Sequence, residues 1–338
     1  MYYIIVLKVE NLLKGDFFIM KSKILLTFFV FSLFTLVFAQ RNFSATITVT
    51  GFDAATRAEF NTEWSTDLTN VQSRLSDAFA TSFAMTDLIG TSKIKNFEIG
   101  FGIVGGVTDK FALSGSTDIP SRGVGVAGAI HFGIDGGVFT KALADFDFII
   151  KIFYLPTIKA GDVKIDAFSF GVKPRWHFYK GGTGNVLSWG GLTLACAIDY
   201  TSLSASLDMS GKSITTNTNQ TGTISATTLT LKGNLFTLTP EVMTNARILY
   251  VIVPYLALGT VLNLGGFETT GSINAAGFAT IPAGNISVSG SDGGSVFIPY
   301  LRTGFEFDLF VLQITVQGQV AFSSKTYYGG GVGLRTSF

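Results

Sequence analysis

The chain has 338 residues, 24 basic and 23 acidic side chains, one Cys and two His. Charged residues are 14% and apolar residues 47%, with 32 Phe and 39 Gly. A soluble domain carries roughly 25% charged residues, so this surface is too apolar for water alone, and the aromatic content excludes intrinsic disorder. A formal net charge of +1 gives no basic field for phosphates, which excludes a nucleic-acid partner. The single Cys196 excludes a disulfide framework and a Cys-built zinc site, and no metal or cofactor is expected.

The first apolar stretch, Ile24 to Ala39, reads ILLTFFVFSLFTLVFA. Lys21 and Lys23 precede it, and Val37-Phe38-Ala39 offers small residues at its exit. A basic start, an apolar core and a small-residue exit describe a secretory signal peptide over 20–39, cleaved after Ala39. The core is short for a membrane span, which sets aside the uncleaved-anchor alternative. Met20 stands where such a leader begins, so 1–19 reads as a start assigned too early. Cleavage leaves 20 basic and 21 acidic groups. Residue 40 is Gln, so no Cys at the cut carries a lipid.

The segment 40–93 comes next and contains an amphipathic helix. Phe60, Trp64, Leu68, Val71, Leu75 and Phe79 recur at steps of three and four, one face of an α-helix. The pattern spans 53–90, with Asp53 as its start cap, Gly90 as its end and a break near Ser82. A ten-strand lumen is little wider than its own side chains. The helix is therefore expected at the periplasmic mouth, with Phe60, Trp64 and Leu68 against the rim. A helix inside the lumen would point to a gated channel instead.

After Lys93 the period becomes two. Phe97, Ile99, Phe101 and Ile103 alternate with Glu98, Gly100 and Gly102; Leu312, Ile314 and Val316 alternate with Gln313, Thr315 and Gln317. Ten such strands are predicted, at about 97–107, 123–134, 145–155, 163–178, 189–204, 225–242, 248–264, 296–308, 310–322 and 327–338. Segments 108–122, 205–224 and 265–295 are long and rich in Ser, Thr, Asn and Gly, whereas the joins near 179–187, 243–247 and 309 are short. The first and third long segments could hide two strands each. Long connections at one end and short turns at the other mark an outer-membrane barrel. Lipid cannot hydrogen-bond backbone, so a sheet that crosses it must close on itself. A soluble sandwich also alternates, but its outward face would carry charges. Here that second face is mostly Gly, Ala, Thr, Gln and Ser. The fold predicted for 94–338 is all-β: an antiparallel transmembrane barrel of about ten strands, with fourteen as the upper bound.

The last strand, Tyr327-Tyr-Gly-Gly-Gly-Val-Gly-Leu-Arg-Thr-Ser-Phe338, resembles the C-terminal signal that the barrel-insertion machinery reads. Val332, Leu334 and Phe338 match that signal, and Thr336 departs from it. The whole layout resembles uncharacterised outer-membrane barrels of diderm bacteria, through Phe148–Phe178 and Phe297–Phe338 above all. A more distant likeness is to fatty-acid-transporter barrels, which also place helical residues before the first strand. The resemblance implies a barrel in outer-membrane lipid, inserted through the strand ending at Phe338. It implies no activity.

Candidate lumen residues follow from parity. In 163–178 a change of phase near Ala167, a bulge or kink, leaves Phe168, Phe170, Val172, Trp176 and Phe178 on one face. Lys173, Arg175 and His177 then share the other. Such a ladder could steer anions. Paired with acids across the barrel, it would close the interior instead, the reading favoured because unpaired buried charge is costly. Arg302, Glu306 and Asp308 share a face of 296–308, as do Asp145, Asp147 and Lys151 of 145–155. His131 and Asp135 lie four apart on one strand, and His177 has no acid at a neighbouring same-face position in sequence. No nucleophile-elbow motif occurs, so no catalytic residue and no enzyme is expected. Trp176, Tyr179, Trp189, Tyr300, Tyr327 and Tyr328 are assigned to the interface girdles. Gly-rich strand faces leave room for lumen side chains or for strand curvature. The function predicted is a narrow pore or passive transporter for small or apolar solutes. The alternative is a surface-exposed adhesin or structural protein working through loops 205–224 and 265–295.

Overall fold

The computed structural model describes residues 45–59, 61, 65–86, 90–109, 124–160, 163–182, 186–208, 210–211, 213–215, 221–249, 251–277, 283–292, 294–323 and 326–338. The residues expected to form a leader and those read as a premature start lie outside these. Strand β1 (Ala45–Thr50) leads into two helices, α1 (Ala54–Glu59) and α2 (Ser65–Ala84). Then come β2 (Phe97–Thr108), β3 (Val124–Asp135), β4 (Phe146–Ala160), β5 (Val163–Tyr179), β6 (Leu187–Leu207), β7 (Ser213–Thr215) and β8 (Thr221–Ile248). The chain continues with β9 (Ile252–Asn263), β10 (Gly266–Ala276), β11 (Gly284–Asp292), β12 (Phe297–Leu309), β13 (Leu312–Phe322) and β14 (Thr326–Ser337).

Ten strands pair antiparallel into a closed ring, in the order β2-β3-β4-β5-β6-β8-β9-β12-β13-β14 and back to β2. Closure is what lipid demands, since every ladder group then has a partner. Phe97 and Phe338 exchange both backbone hydrogen bonds, so the ring is sealed at the end where the barrel's two termini meet. The tight turns 249–251 and 310–311 lie at that same end, and the three longest connections of the ring, β2 to β3, β6 to β8 and β9 to β12, lie at the other, which assigns the first end to the periplasm. The first of these turns lies beyond 243–247, because β8 runs on to Ile248.

Strand parity sorts the side chains. Phe97, Ile99, Phe101 and Ile103 of β2, Phe168 and Phe170 of β5, and Val332 and Leu334 of β14 are large apolar groups left exposed on the outside. Their neighbours Glu98, Ser169, Lys173 and Arg335 are buried within the ring. A soluble sandwich would bury that apolar face rather than display it.

β5 keeps a single phase from Ala167 to Arg175, with Ala167, Ser169, Lys173 and Arg175 buried and Phe168 and Phe170 exposed. The irregularity predicted near Ala167 is a register shift against β4: Leu155 pairs Ala167 and Ile158 pairs Ile165, so Pro156 and Thr157 of β4 face the single residue Asp166. The proline explains the placement, because it cannot donate to the ladder.

At the far end the sheet continues beyond the ring. The first half of β8 pairs β10, β10 pairs β11, and β11 pairs β1. The hairpin β10–β11 is the strand pair that 265–295 could hide. One face of this outer sheet packs its own small core of Val49, Phe52, Ile224, Ile273, Ala275, Ile286 and Val288.

Candidate functional site

α1 starts after Asp53, whose carbonyl accepts from the Arg57 amide, and α2 runs through Ser82 without the break expected there. α2 ends at Ala84, and Gly90 lies six residues beyond it. The side chains of Phe60, Trp64, Leu68 and Val71 lie outside the described residues.

The helix does not sit under the rim; it occupies the lumen. Ser76, Asp77, Ala78, Ala80, Thr81, Ser82, Phe83 and Ala84 are all buried. The crowding argument fails because both surfaces are small. α2 presents Ala and Ser, and β3 meets it with Gly125, Ala127 and Ala129. A Cβ at Gly125 would stand 2.4 Å from the Ala78 carbonyl oxygen. Only a residue without that atom lets helix and wall approach so closely.

Polar contacts fix the helix in height. Asn263 at the end of β9 donates to the Ser76 hydroxyl at 3.0 Å. Asp77 accepts from the Ser295 amide and hydroxyl at 2.6 and 2.9 Å. Gln72 reaches Thr269 of β10, and Ser82 and Tyr327 share a hydroxyl pair at 2.7 Å. Phe83 packs on Phe153 with ring centroids 5.8 Å apart, and Phe79 on Phe267 at 5.9 Å.

Below α2 the chain descends to the periplasmic mouth, held by the wall through its backbone. Lys151 donates to the Ala84 carbonyl and Gln317 to the Met85 carbonyl. Arg175 donates to the carbonyls of Gly90 and Ser92, each at 3.1 Å. Glu306 accepts from the Thr91 amide at 2.7 Å and the Ser92 amide at 3.4 Å; Asp147 accepts from the Ile94 amide at 3.3 Å. Gly90 adopts φ +66° against the Glu306 carboxylate, a left-handed bend that favours glycine.

The wall charges also pair with one another. Lys151 meets Asp199 at 2.8 Å, and Arg175 meets Asp147 at 2.7 Å. Lys173 and Arg302 share Glu241, which also accepts from the Tyr300 hydroxyl at 2.7 Å. Arg335 bridges Glu98 at 3.1 Å and Glu306 at 2.5 Å. Among the described residues of the wall, five buried bases thus stand among five buried acids, and each of these bases has a carboxylate within bonding distance. That arrangement offsets the cost of charge at low dielectric. It also leaves Lys173 and Arg175 paired rather than presenting bare cations to a passing anion.

His177 lies beside this network. Its Nε2 is 2.6 Å from Asp147 and its Nδ1 is 3.0 Å from the Thr193 hydroxyl. The acid absent from its own strand comes from β4 next door. Two residues of β5 between Trp176 and Tyr179 face the single Thr193 of β6, and that bulge sets the ring's position. The Thr193 side chain is buried, so this hydroxyl–imidazole–carboxylate chain offers no exposed nucleophile. His131 is buried, its ring so close that a Cβ at Gly100 would lie 2.2 Å from Nε2. Asp135 accepts from Lys93 at 3.0 Å and from the Gly137 amide at 2.9 Å. Asp308 pairs with Arg247 at 2.8 Å.

Two of the six aromatics assigned to the girdles belong inside. Tyr300 and Tyr327 are buried, bonding Glu241 and Ser82. Tyr179, Trp189 and Tyr328 remain exposed, and Trp176 stacks on Phe146 at 5.9 Å. Outside the membrane, at the end of β6, the Ser210 hydroxyl and amide hold the Asp208 carboxyl below the ordinary carboxylate range.

A closed antiparallel ring with an apolar outside and a polar, charge-paired inside defines an outer-membrane β-barrel. A family model described as Lsa36-like matches residues 42–338, and the chain belongs to that family. A search of curated proteins finds no match. Among solved structures it is similar to the translocator domain of the autotransporter NalP from Neisseria meningitidis, with 11% identity, 76% of this chain and 93% of that one covered, and a TM-score of 0.35. It is similar also to the outer membrane protease OmpT from Escherichia coli, at 8% identity, with 75% and 100% covered and a TM-score of 0.37. The CymD monoaromatic hydrocarbon channel matches at 10% identity over 80% of this chain and 98% of its own, with a TM-score of 0.29.

Proposed function

We propose that the protein acts at the cell surface, as a barrel closed by its own N-terminal segment and presenting an outer sheet. The observation that carries this reading is the occupied lumen: α2 and the paired charges stand where a water path would run. A steadily open pore for small or apolar solutes needs that path. Surface action needs structure outside the membrane, and the two long segments 205–224 and 265–295 contribute β7, the start of β8, β10 and β11 to it. No catalytic role enters this reading, because the Thr193 hydroxyl has no access. Insertion through β14 fits its outward Val332 and Leu334 and the exposed Phe338.

A gated pore is the second reading. The favouring observation is that the descending segment is tied to the wall by backbone hydrogen bonds to Arg175, Glu306 and Asp147. Water can replace such bonds without unfolding the ring. Planar-bilayer recording separates the readings. The closed barrel gives no unitary current, and its deletion variant lacking 53–90 conducts. Intermittent openings of the intact protein favour the gate. Steady currents from the intact protein overturn the closed-barrel reading.

A further inference from the structure

The periplasmic mouth holds two adjoining cavities of about 370 and 290 Å³. The larger is roofed by the descending segment, through Ser92, Lys93 and Lys95, and walled by His177, Ser188 and Arg247. Among the described residues no carboxylate lines it. The smaller shares Lys93 and His177, adds Lys180 with its partner Asp145, and opens past Tyr179 and Trp189. Those two rings pack at 5.3 Å and are exposed on the outside of the barrel, where interface aromatics meet headgroups.

From this geometry we infer a binding site for a phosphate-bearing anion, bridging the descending segment to the barrel wall. The charge bookkeeping favours an anion. Among the described residues the lining of the larger cavity holds bases and no carboxylate; Asp135, Asp308 and Asp147 pair with Lys93, Arg247 and His177 from outside that lining. Lys95 is exposed at the rim and adds a positive charge beyond those pairs. The Ser92, Ser188 and Asn245 side chains supply neutral polar groups around the bases, the mixture that orients a tetrahedral oxyanion. The opening beside Tyr179 and Trp189 faces the inner leaflet, so a phospholipid headgroup can enter from the side with its chains left in the bilayer. Free phosphate can enter from the periplasm. An occupant of either source touches Lys93 and Lys95 on one side and Arg247 on the other, and so holds the descending segment in place.

The test is native mass spectrometry of the detergent-solubilised mature chain, titrated in parallel with phosphatidic acid, phosphatidylcholine and inorganic phosphate. The expected result is retention of phosphatidic acid over phosphatidylcholine, weakened about tenfold or more by Lys95→Glu with Ser188→Asp. Lys180→Glu, at a more exposed side chain, is a second variant with the same expected direction. Each variant is first checked for the heat-dependent gel shift of a folded barrel. Tight binding of inorganic phosphate without preference for the lipid assigns the site to the free anion. Failure of both phosphate probes to bind, or equal binding by wild type and the charge-reversed variants, overturns the inference.

Discussion

Asp77 of α2 accepts two hydrogen bonds from Ser295, one from its amide and one from its hydroxyl. Ser295 lies in the short break between β11 and β12, where the long outer hairpin bends into the barrel wall. The neighbouring Ser76 accepts from Asn263, at the matching break between β9 and β10. The helix is therefore pinned where the outer sheet and the transmembrane ring meet.

Asp77→Ala removes both bonds and leaves the Ser295 amide without this acceptor. Hydrogen bonds to a charged group are worth about 1.5–3 kcal/mol, so a loss of about 2 kcal/mol is expected, confined to seating of the helix. Limited proteolysis checks it. Cleavage within 53–90 should quicken while the ring keeps its heat-dependent gel shift. Unchanged cleavage would mean that the pin contributes nothing.

Gly125→Leu tests the occupied lumen from the wall side. The new Cβ would fall 2.4 Å from the Ala78 carbonyl oxygen and 2.5 Å from the Ser82 Oγ. Backbone cannot yield there, so the helix must move out. Unitary conductance, which the closed-barrel reading denies the parent protein, is the expected gain. A folded Gly125→Leu barrel that stays electrically silent contradicts the lumen position of α2.

The strands were legible because lipid and lumen impose opposite chemistry on alternate residues, as Phe101 beside Gly102 and Leu334 beside Arg335 illustrate. The helix position was not. Its contacts with the wall run through Ala78, Ser82 and Gly125, whose small size says nothing of where they sit, and through carbonyls such as Gly90 and Ser92. A backbone acceptor leaves no mark on residue type. Tyr327 read as a girdle residue because it begins a strand, yet its parity turns it inward onto Ser82. The Asp147 partner of His177 was hidden for a different reason. It comes from β4, and only the β4–β5 register, which sets Asp147 opposite Arg175, brings it to a ring two residues further along β5.

Arg335 on β14 ties β2 to β12 by bridging Glu98 and Glu306. Arg335→Gln leaves two buried carboxylates without their shared cation, a change that costs about 3–5 kcal/mol. The temperature at which the folded gel band converts to the unfolded one should fall clearly. Adding Glu98→Gln and Glu306→Gln should restore much of it, because neutral amides need no counter-charge. A triple variant as unstable as the single one would argue that the bridge acts through shape alone.

The course of the chain makes a final demand. β1 pairs β11 in the outer sheet, α2 fills the lumen, and β2 starts at the periplasmic end, so 45–94 runs from outside inward. On the proposed reading, with the outer sheet at the cell surface, β1 reaches that surface through the chain's own barrel. Thr48 is an exposed position on β1 and suits a probe. With Cys196→Ser as background, Thr48→Cys should react on intact cells with a membrane-impermeant maleimide. A cysteine at Lys141, in the turn between β3 and β4 at the opposite end, should react only after the outer membrane is breached. Reversed labelling of the two positions would invert the topology and with it the assignment of the outer sheet to the cell surface.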